Sequence, residues 1–202
     1  MTTLSPLSDT KIPRRYGTRT LEHKLENKTA FQREMGWPME PKRPMLCLPI
    51  GMSETIGGSL LQELLPGLLT LPIEIIILGK GSSEYGTLFT KIAKERSHRI
   101  AILSNNDTSI RKMYAAADMA LFLADPSTQE ELTHCLRYGV VPIAPEVGSL
   151  EDYNPVQESG DSFLFQKATV WDAFAALVRA IETYKFPFDW RTIQRHGMEK
   201  VN

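Results

Sequence analysis

Cysteine is nearly absent from this 202-residue sequence: only Cys47 and Cys135 occur. Two cysteines make no disulfide framework, so a reducing compartment is the default expectation. An excess of either charge is missing too, with 23 Lys plus Arg against 24 Asp plus Glu and a formal net charge of −1. That balance excludes a broad basic face for nucleic acid, and equally an acidic tail or a charge-driven disordered chain. No run of 18 apolar residues is present, so no membrane-spanning helix is expected. The opening Met1-Thr2-Thr3-Leu4-Ser5-Pro6 lacks a charged start followed by an apolar block, and no secretory signal is read. Repeats and low-complexity segments are also missing. With 42% hydrophobic residues, enough apolar chain remains for one well-packed domain or two very small ones. The composition predicts a soluble, intracellular, globular chain and names no chemistry.

What is present is alternation. Residues 1–26 are polar and basic, with Pro13 and the pair Arg14-Arg15, and read as a linker or extended arm. Residues 27–202 read as a single domain. Asn27 suits an N-cap for a short helix to about Met35, which Gly36-Trp37-Pro38 ends. Short apolar runs follow at Met45–Pro49, Ile73–Leu78, Arg99–Leu103, Met119–Leu123 and Val140–Ala144. Helical segments separate them. One carries Leu60, Leu61, Leu64, Leu65, Leu68 and Leu69, with Pro66-Gly67 expected to kink or split it. The others are Ser83–Arg96, a helix capped by Asp107 and running to Ala117, and Thr128–Tyr138. After a long loop to Gly160, the run Phe163–Phe165 precedes helices at Thr169–Tyr184 and from Pro187 to about His196. Apolar runs of this length alternating with helices predict an α/β fold, a doubly wound, Rossmann-like parallel sheet. Ligands then sit at the carboxyl ends of the strands.

No residue cluster declares a catalyst. The loop from Gly51 to Gly58 follows a strand and precedes a helix, where backbone N–H groups could hold a phosphate. It matches neither a P-loop nor G-x-G-x-x-G and contains no Lys or Arg, so a plain strand-to-helix turn is the preferred reading. Lys80, between Gly79 and Gly81, reads first as a solvated loop lysine and second as a phosphate contact. Glu130 and Glu131 are adjacent on a helix and point about 100° apart, so they cannot converge on one atom. Thr128 with Glu131 fits a capping box. His23, His98, His134 and His196 make no metal-ligand spacing, and no metal site is expected. His134 beside Cys135 is poor geometry for a base and its nucleophile, and Ser82, Ser104 and Ser127 lack a nucleophile elbow. Trp37, Trp171 and Trp190 read as packing residues rather than sugar-stacking ones.

An ordered series of motifs resembles the C-terminal half of bacterial glycogen synthases and plant starch synthases, over roughly residues 9–199. It comprises Tyr16, Leu21, Lys24 and Asn27-Lys28, then Ala30-Phe31-Gln32 with Gly36, and the Leu-rich helix with Pro66. Leu78-Gly79-Lys80-Gly81, Tyr114-Ala115-Ala116-Ala117-Asp118, and Leu136-Arg137-Tyr138-Gly139 with Val141-Pro142-Ile143 follow. Gly148, Leu150 and Asp152, and Phe163-Leu164-Phe165 with Ala168-Thr169, complete it. The resemblance implies a GT-B C-terminal domain, the half that holds ADP-glucose or UDP-glucose in a retaining glucosyltransferase. It implies no cofactor. The implied ligands are ADP, UDP or their glucose conjugates. The implied partners are an N-terminal GT-B half or synthase partner and an α-glucan, with no nucleic acid and no membrane. Cytoplasm is the implied location, with plastid stroma as the alternative.

The sequence departs from the family wherever the family places charge or an aromatic ring. The arginine and lysine that neutralise the donor diphosphate fall on Gly51 and Ile56. The base-stacking tyrosine falls on Asn105. The glutamate beside the donor sugar falls on Pro126 or Ser127, with both registers open, and the segment after it becomes Thr128-Gln129-Glu130-Glu131. No catalytic residue is therefore assigned. The donor-cleft positions by resemblance are Gly51, Gly57, Lys80, Gly81, Asn105 and Thr128. Three readings stand together: a synthase-like domain that is non-catalytic by itself, the C-terminal half of an active glucosyltransferase needing its N-terminal half, and a glucan-binding or scaffold module.

Overall fold

The computed structural model describes residues 4–201. Its centre is a six-stranded parallel sheet in the order β3-β2-β1-β4-β5-β6. The strands are β1 Met45–Leu48, β2 Glu74–Gly79, β3 Ile100–Ser104, β4 Met119–Leu121, β5 Val141–Pro145 and β6 Phe163–Phe165. The helices are α1 Lys24–Glu34, α2 Gly58–Leu68, α3 Ser83–Glu95, α4 Asp107–Ala116, α5 Glu130–Arg137, α6 Val170–Tyr184 and α7 Pro187–Lys200. This is the doubly wound sheet that the alternation predicts.

Strand side chains point to opposite faces in turn, and both faces are covered. Leu46, Leu48, Ile75, Ile77, Leu121 and Ile143 meet α2, α3, α6 and the first half of α7. Met45, Cys47, Ile76, Leu78, Ala120 and Phe122 meet α1, α4, α5 and the incoming arm. The chain changes face between β3 and β4, through α4. The sheet order therefore reverses between β1 and β4, and their carboxyl ends flank the crevice.

Three local expectations are corrected. Asn27 is not a cap: α1 begins at Lys24, and the Asn27 amide instead accepts from Arg14 N–H and donates to Arg14 O, both at 2.8 Å. It pins the arm, which among the described residues has no regular element before Thr18 but is packed, with Ile12, Tyr16 and Leu21 buried. Pro66 does not split α2, which runs unbroken across it. Burial of Leu60, Leu61, Leu64 and Leu68 on one face, at about 1.5–3 kcal/mol each, outweighs the roughly 3 kcal/mol cost of an interior proline. Asn106, not Asp107, caps α4 by accepting from Ser109 N–H at 2.9 Å.

Polar groups bury at the amino ends of the strands. Asp118 accepts from Lys28 Nζ at 2.6 Å and from Met45 N–H at 2.8 Å. Lys24 Nζ donates to the carbonyls of Tyr114 and Ala115, at 2.7 and 3.1 Å, in the last turn of α4. A cation there also meets the negative end of the helix dipole. Gln32 Nε2 donates to both carboxylate oxygens of Glu74, at 3.0 and 2.9 Å.

Two of these groups set the pH dependence of stability. Burial pushes Glu74 from 4.5 up to about 7, against the opposing pull of Gln32 and Lys28. The folded chain then holds a proton that the unfolded chain has released, so stability falls as pH rises from 4.5 to about 7. Burial pushes Lys24 from 10.5 down to about 7. There the unfolded chain holds the extra proton, so stability rises between about 7 and 10.5. Thermal melts across this range should show a minimum near pH 7. Glu74→Gln should remove the acid limb and Lys24→Met the alkaline limb; limbs that persist in those variants contradict the assignment.

Candidate functional site

The loops after β1, β2 and β4 meet at the carboxyl edge of the sheet. Met52 N–H donates to Lys80 O at 3.0 Å, and Ser82 N–H donates to Met52 O at 2.9 Å. These two bonds zip the β1 and β2 loops together as a short parallel bridge between Met52 and Gly81. The zipper explains the glycines. Gly51 has φ +67°, and a Cβ there would stand 1.8 Å from Lys80 O; a Cβ on Gly81 would stand 1.8 Å from Met52 O. Any side chain at position 51, arginine included, is therefore excluded while the two loops stay joined. Gly57 closes the other side of the loop, where a Cβ would lie 2.6 Å from that of Leu123 just beyond β4.

Lys80 is exposed, as expected of a loop lysine, and it is also paired. Its Nζ lies 3.0 Å from Glu131 Oε1, in the first turn of α5. The expected capping box between Thr128 and Glu131 does not form, because α5 starts later. Gln129 is its N-cap and makes no side-chain cap, leaving the Glu131 carboxylate to Lys80. A second carboxylate, Glu54, accepts from Tyr85 Oη at 2.6 Å. That bond, with burial second, pushes the Tyr85 hydroxyl up to about 12.

The remaining predicted positions spread out along the same edge. Pro126 is buried, Ser127 and Thr128 are exposed, and Ser127 N–H and Oγ both donate to Asp125 Oδ1, at 2.8 and 2.5 Å. These two bonds hold the Asp125 carboxyl below its usual range. Asn105 sits exposed in the bend after β3. Ile56 is half-buried against the core. The structure thus brings Gly51, Gly57, Lys80 and Gly81 into one wall and sets Thr128 just before the helix that carries Glu131. It joins Asn105 to none of them by a hydrogen bond among the described residues. Cys135 is buried at the Cys47 thiol, and that burial pushes its own thiol well up, so it is no nucleophile. Among the described residues no three His, Cys, Asp or Glu side chains gather as a metal site, and no helix is long and apolar enough to cross a membrane.

Known proteins share this fold. Over 208 residues the chain is 33% identical to glycogen synthase 1 of Methylococcus capsulatus, covering 97% of this chain and 42% of that protein. Over 204 residues it is 32% identical to the glycogen synthase of Gloeobacter violaceus, covering 97% and 44%. The catalytic domain of starch synthase IV from Arabidopsis thaliana, bound to ADP and acarbose, superposes with a TM-score of 0.83 at 23% identity, covering 96% of this chain and 42% of that one. Anabaena HepE in complex with UDP and glucose superposes at 0.65 with 13% identity, covering 87% and 47%. No family model matches the chain. The chain is homologous to the C-terminal half of glycogen and starch synthases. It has the GT-B C-terminal fold and spans less than half the length of the curated synthases it matches.

Within this synthase-like domain the tryptophans divide. Trp37 and Trp190 are 5% exposed and pack as expected, but Trp171 is 81% exposed. It lies in the first turn of α6, away from the face that buries Ala173, Ala176 and Leu177, so the packing expectation fails for it.

The loop zipper yields a stability prediction. Gly51→Ala should destabilise the chain by about 3 kcal/mol, from a positive φ plus a backbone clash. Denaturant melts measure this, and a loss under 1 kcal/mol contradicts the zipper.

Proposed function

We propose that this chain is the donor-side domain of a glycogen or starch synthase-like glucosyltransferase whose anion site is closed, and that it transfers no glucose by itself. The observation that carries this reading is the ion pair between Lys80 and Glu131. Lys80 is the cation that the β2 loop offers to the crevice, and a carboxylate already holds it. The two positions where the resemblance places family cations are Gly51, where no side chain fits, and Ile56, which packs on the core. Each charge-assisted contact to a phosphate contributes about 1.5–3 kcal/mol. Losing two weakens a nucleotide sugar by about two to four orders of magnitude. With Asn105 in place of an aromatic ring, the base also lacks a stacking face.

On this reading the ligands are ADP, UDP or their glucose conjugates, held weakly, and the catalytic position at Pro126 or Ser127 supplies no carboxylate. The complementary partner is an N-terminal GT-B half, and the α-glucan acceptor would bind between the halves. A reducing compartment, the cytoplasm, suits the two free buried thiols. The exposed Trp171 favours a second reading, in which the domain serves as a glucan-binding or scaffold module through ring stacking.

Two measurements test the proposal. The purified chain, given ADP-glucose or UDP-glucose and glycogen, should incorporate no labelled glucose; any incorporation overturns the inactive reading. Calorimetric titration should find ADP binding in Glu131→Gln at least tenfold tighter than in the wild type, and Lys80→Ala should cancel that gain. Tight binding by the unmodified chain, or no gain in Glu131→Gln, removes the ion pair as the cause.

A further inference from the structure

One well-formed cavity is not at the crevice. It has a volume of about 920 Å³ and lies at the opposite end of the sheet, where Pro44 precedes β1, Pro72 precedes β2 and Asp118 precedes β4. Such a volume suits a small organic molecule. Its apolar walls come from Leu21, Leu25, Ile181 and Trp190, on four stretches of chain from the arm to α7.

The charge around it is lopsided. Six Lys or Arg side chains line the cavity against three carboxylates, in a protein of net charge −1. Internal partners account for part of the excess: Lys28 pairs with Asp118, Arg43 with Glu40, Lys185 with Glu182, and Lys24 is held by carbonyls. Lys42 and Arg191 have no carboxylate partner among the described residues, and both are exposed at the cavity. The buried indole Nε1–H of Trp190, a further lining residue, finds no acceptor in the fold. Apart from the Glu22 carboxylate, the charged side chains left over around this cavity are cations.

We propose that this basal cavity binds a small organic anion with an apolar or aromatic body, its negative group held by Lys42 and Arg191. The site is separate from the crevice and does not depend on the function proposed above. An aromatic sulfonate, 8-anilinonaphthalene-1-sulfonate, has this chemistry and reports binding by fluorescence. The folded chain should bind it, and the double variant Lys42→Glu/Arg191→Glu should bind it at least tenfold more weakly. N-Phenyl-1-naphthylamine, the same ring system without the sulfonate, should also bind at least tenfold more weakly to the wild type. ADP in excess should not displace the probe. Both variant positions are exposed, so the fold should survive, and a circular dichroism melt checks this. The proposal is overturned by absence of binding, by equal binding of the two probes, or by an unchanged affinity in the charge-reversed variant. It is also overturned if the affinity falls instead in Phe186→Ser/Phe188→Ser. Those two rings, 60% and 69% exposed, flank the wall residue Pro187 and are the nearest competing apolar surface in sequence.

Discussion

One carboxylate sets the order of the sheet. Asp118 stands at the start of β4 and accepts from the buried ammonium of Lys28 and from Met45 N–H, while its own N–H donates to Met45 O at 2.8 Å. Its carbonyl accepts from Val141 N–H at 3.0 Å. A single residue therefore joins β4 to β1, to β5 and to α1. The β1–β4 adjacency is where the winding reverses, and without it there is no crevice. A buried carboxylate is tolerable only when paired and hydrogen-bonded, and removing one partner of such a pair costs about 3–5 kcal/mol. Asp118 ends the Tyr114–Asp118 segment, and the carbonyls of Tyr114 and Ala115 hold Lys24. One of the segments that resemble a synthase motif is thus a clamp at the base of the sheet.

Shape and charge are encoded separately at the crevice. The glycines at 51, 57 and 81 are explained by close approach of backbone to backbone or of loop to β4 end, with no ligand required. The charge depends on side chains that can change without moving the wall: Lys80 is held by Glu131, and Glu54 by Tyr85.

The same division explains what could be read from the residues alone. The sheet and its helices were legible because runs such as Ile75–Leu78 are fully apolar and the stripe of α6 is strongly periodic. The loop positions were also legible, since glycines punctuate strand ends. Interactions between residues distant in sequence were not. Lys80 and Glu131 are 51 positions apart, and nothing in either neighbourhood marks the pair. The capping expectation for Thr128 and the kink expected at Pro66 failed for one reason: tertiary contacts outweighed a local preference. Asn27 shows the same effect, because its amide satisfies the backbone of Arg14 instead of its own helix end.

Helix dipoles connect these points. In a doubly wound fold the helices that follow strands begin at the carboxyl edge, so their positive ends line that edge. In this chain α3, α4, α5 and α6 each carry an acidic residue in the first turn: Glu84, Asp107, Glu130 with Glu131, and Asp172. Each such residue contributes about 0.3–1 kcal/mol to its helix. A bound phosphate would draw on the same partial charges, so the protein's own carboxylates stabilise the fold and repel an anion from one place. Only α2 among these helices has neither an acidic first turn nor a side-chain cap. The near-zero net charge conceals this separation, with carboxylates at the helix starts along the carboxyl edge and cations in excess at the base. Ligand preference in this domain follows from where its charges lie, which the overall balance of the sequence does not reveal.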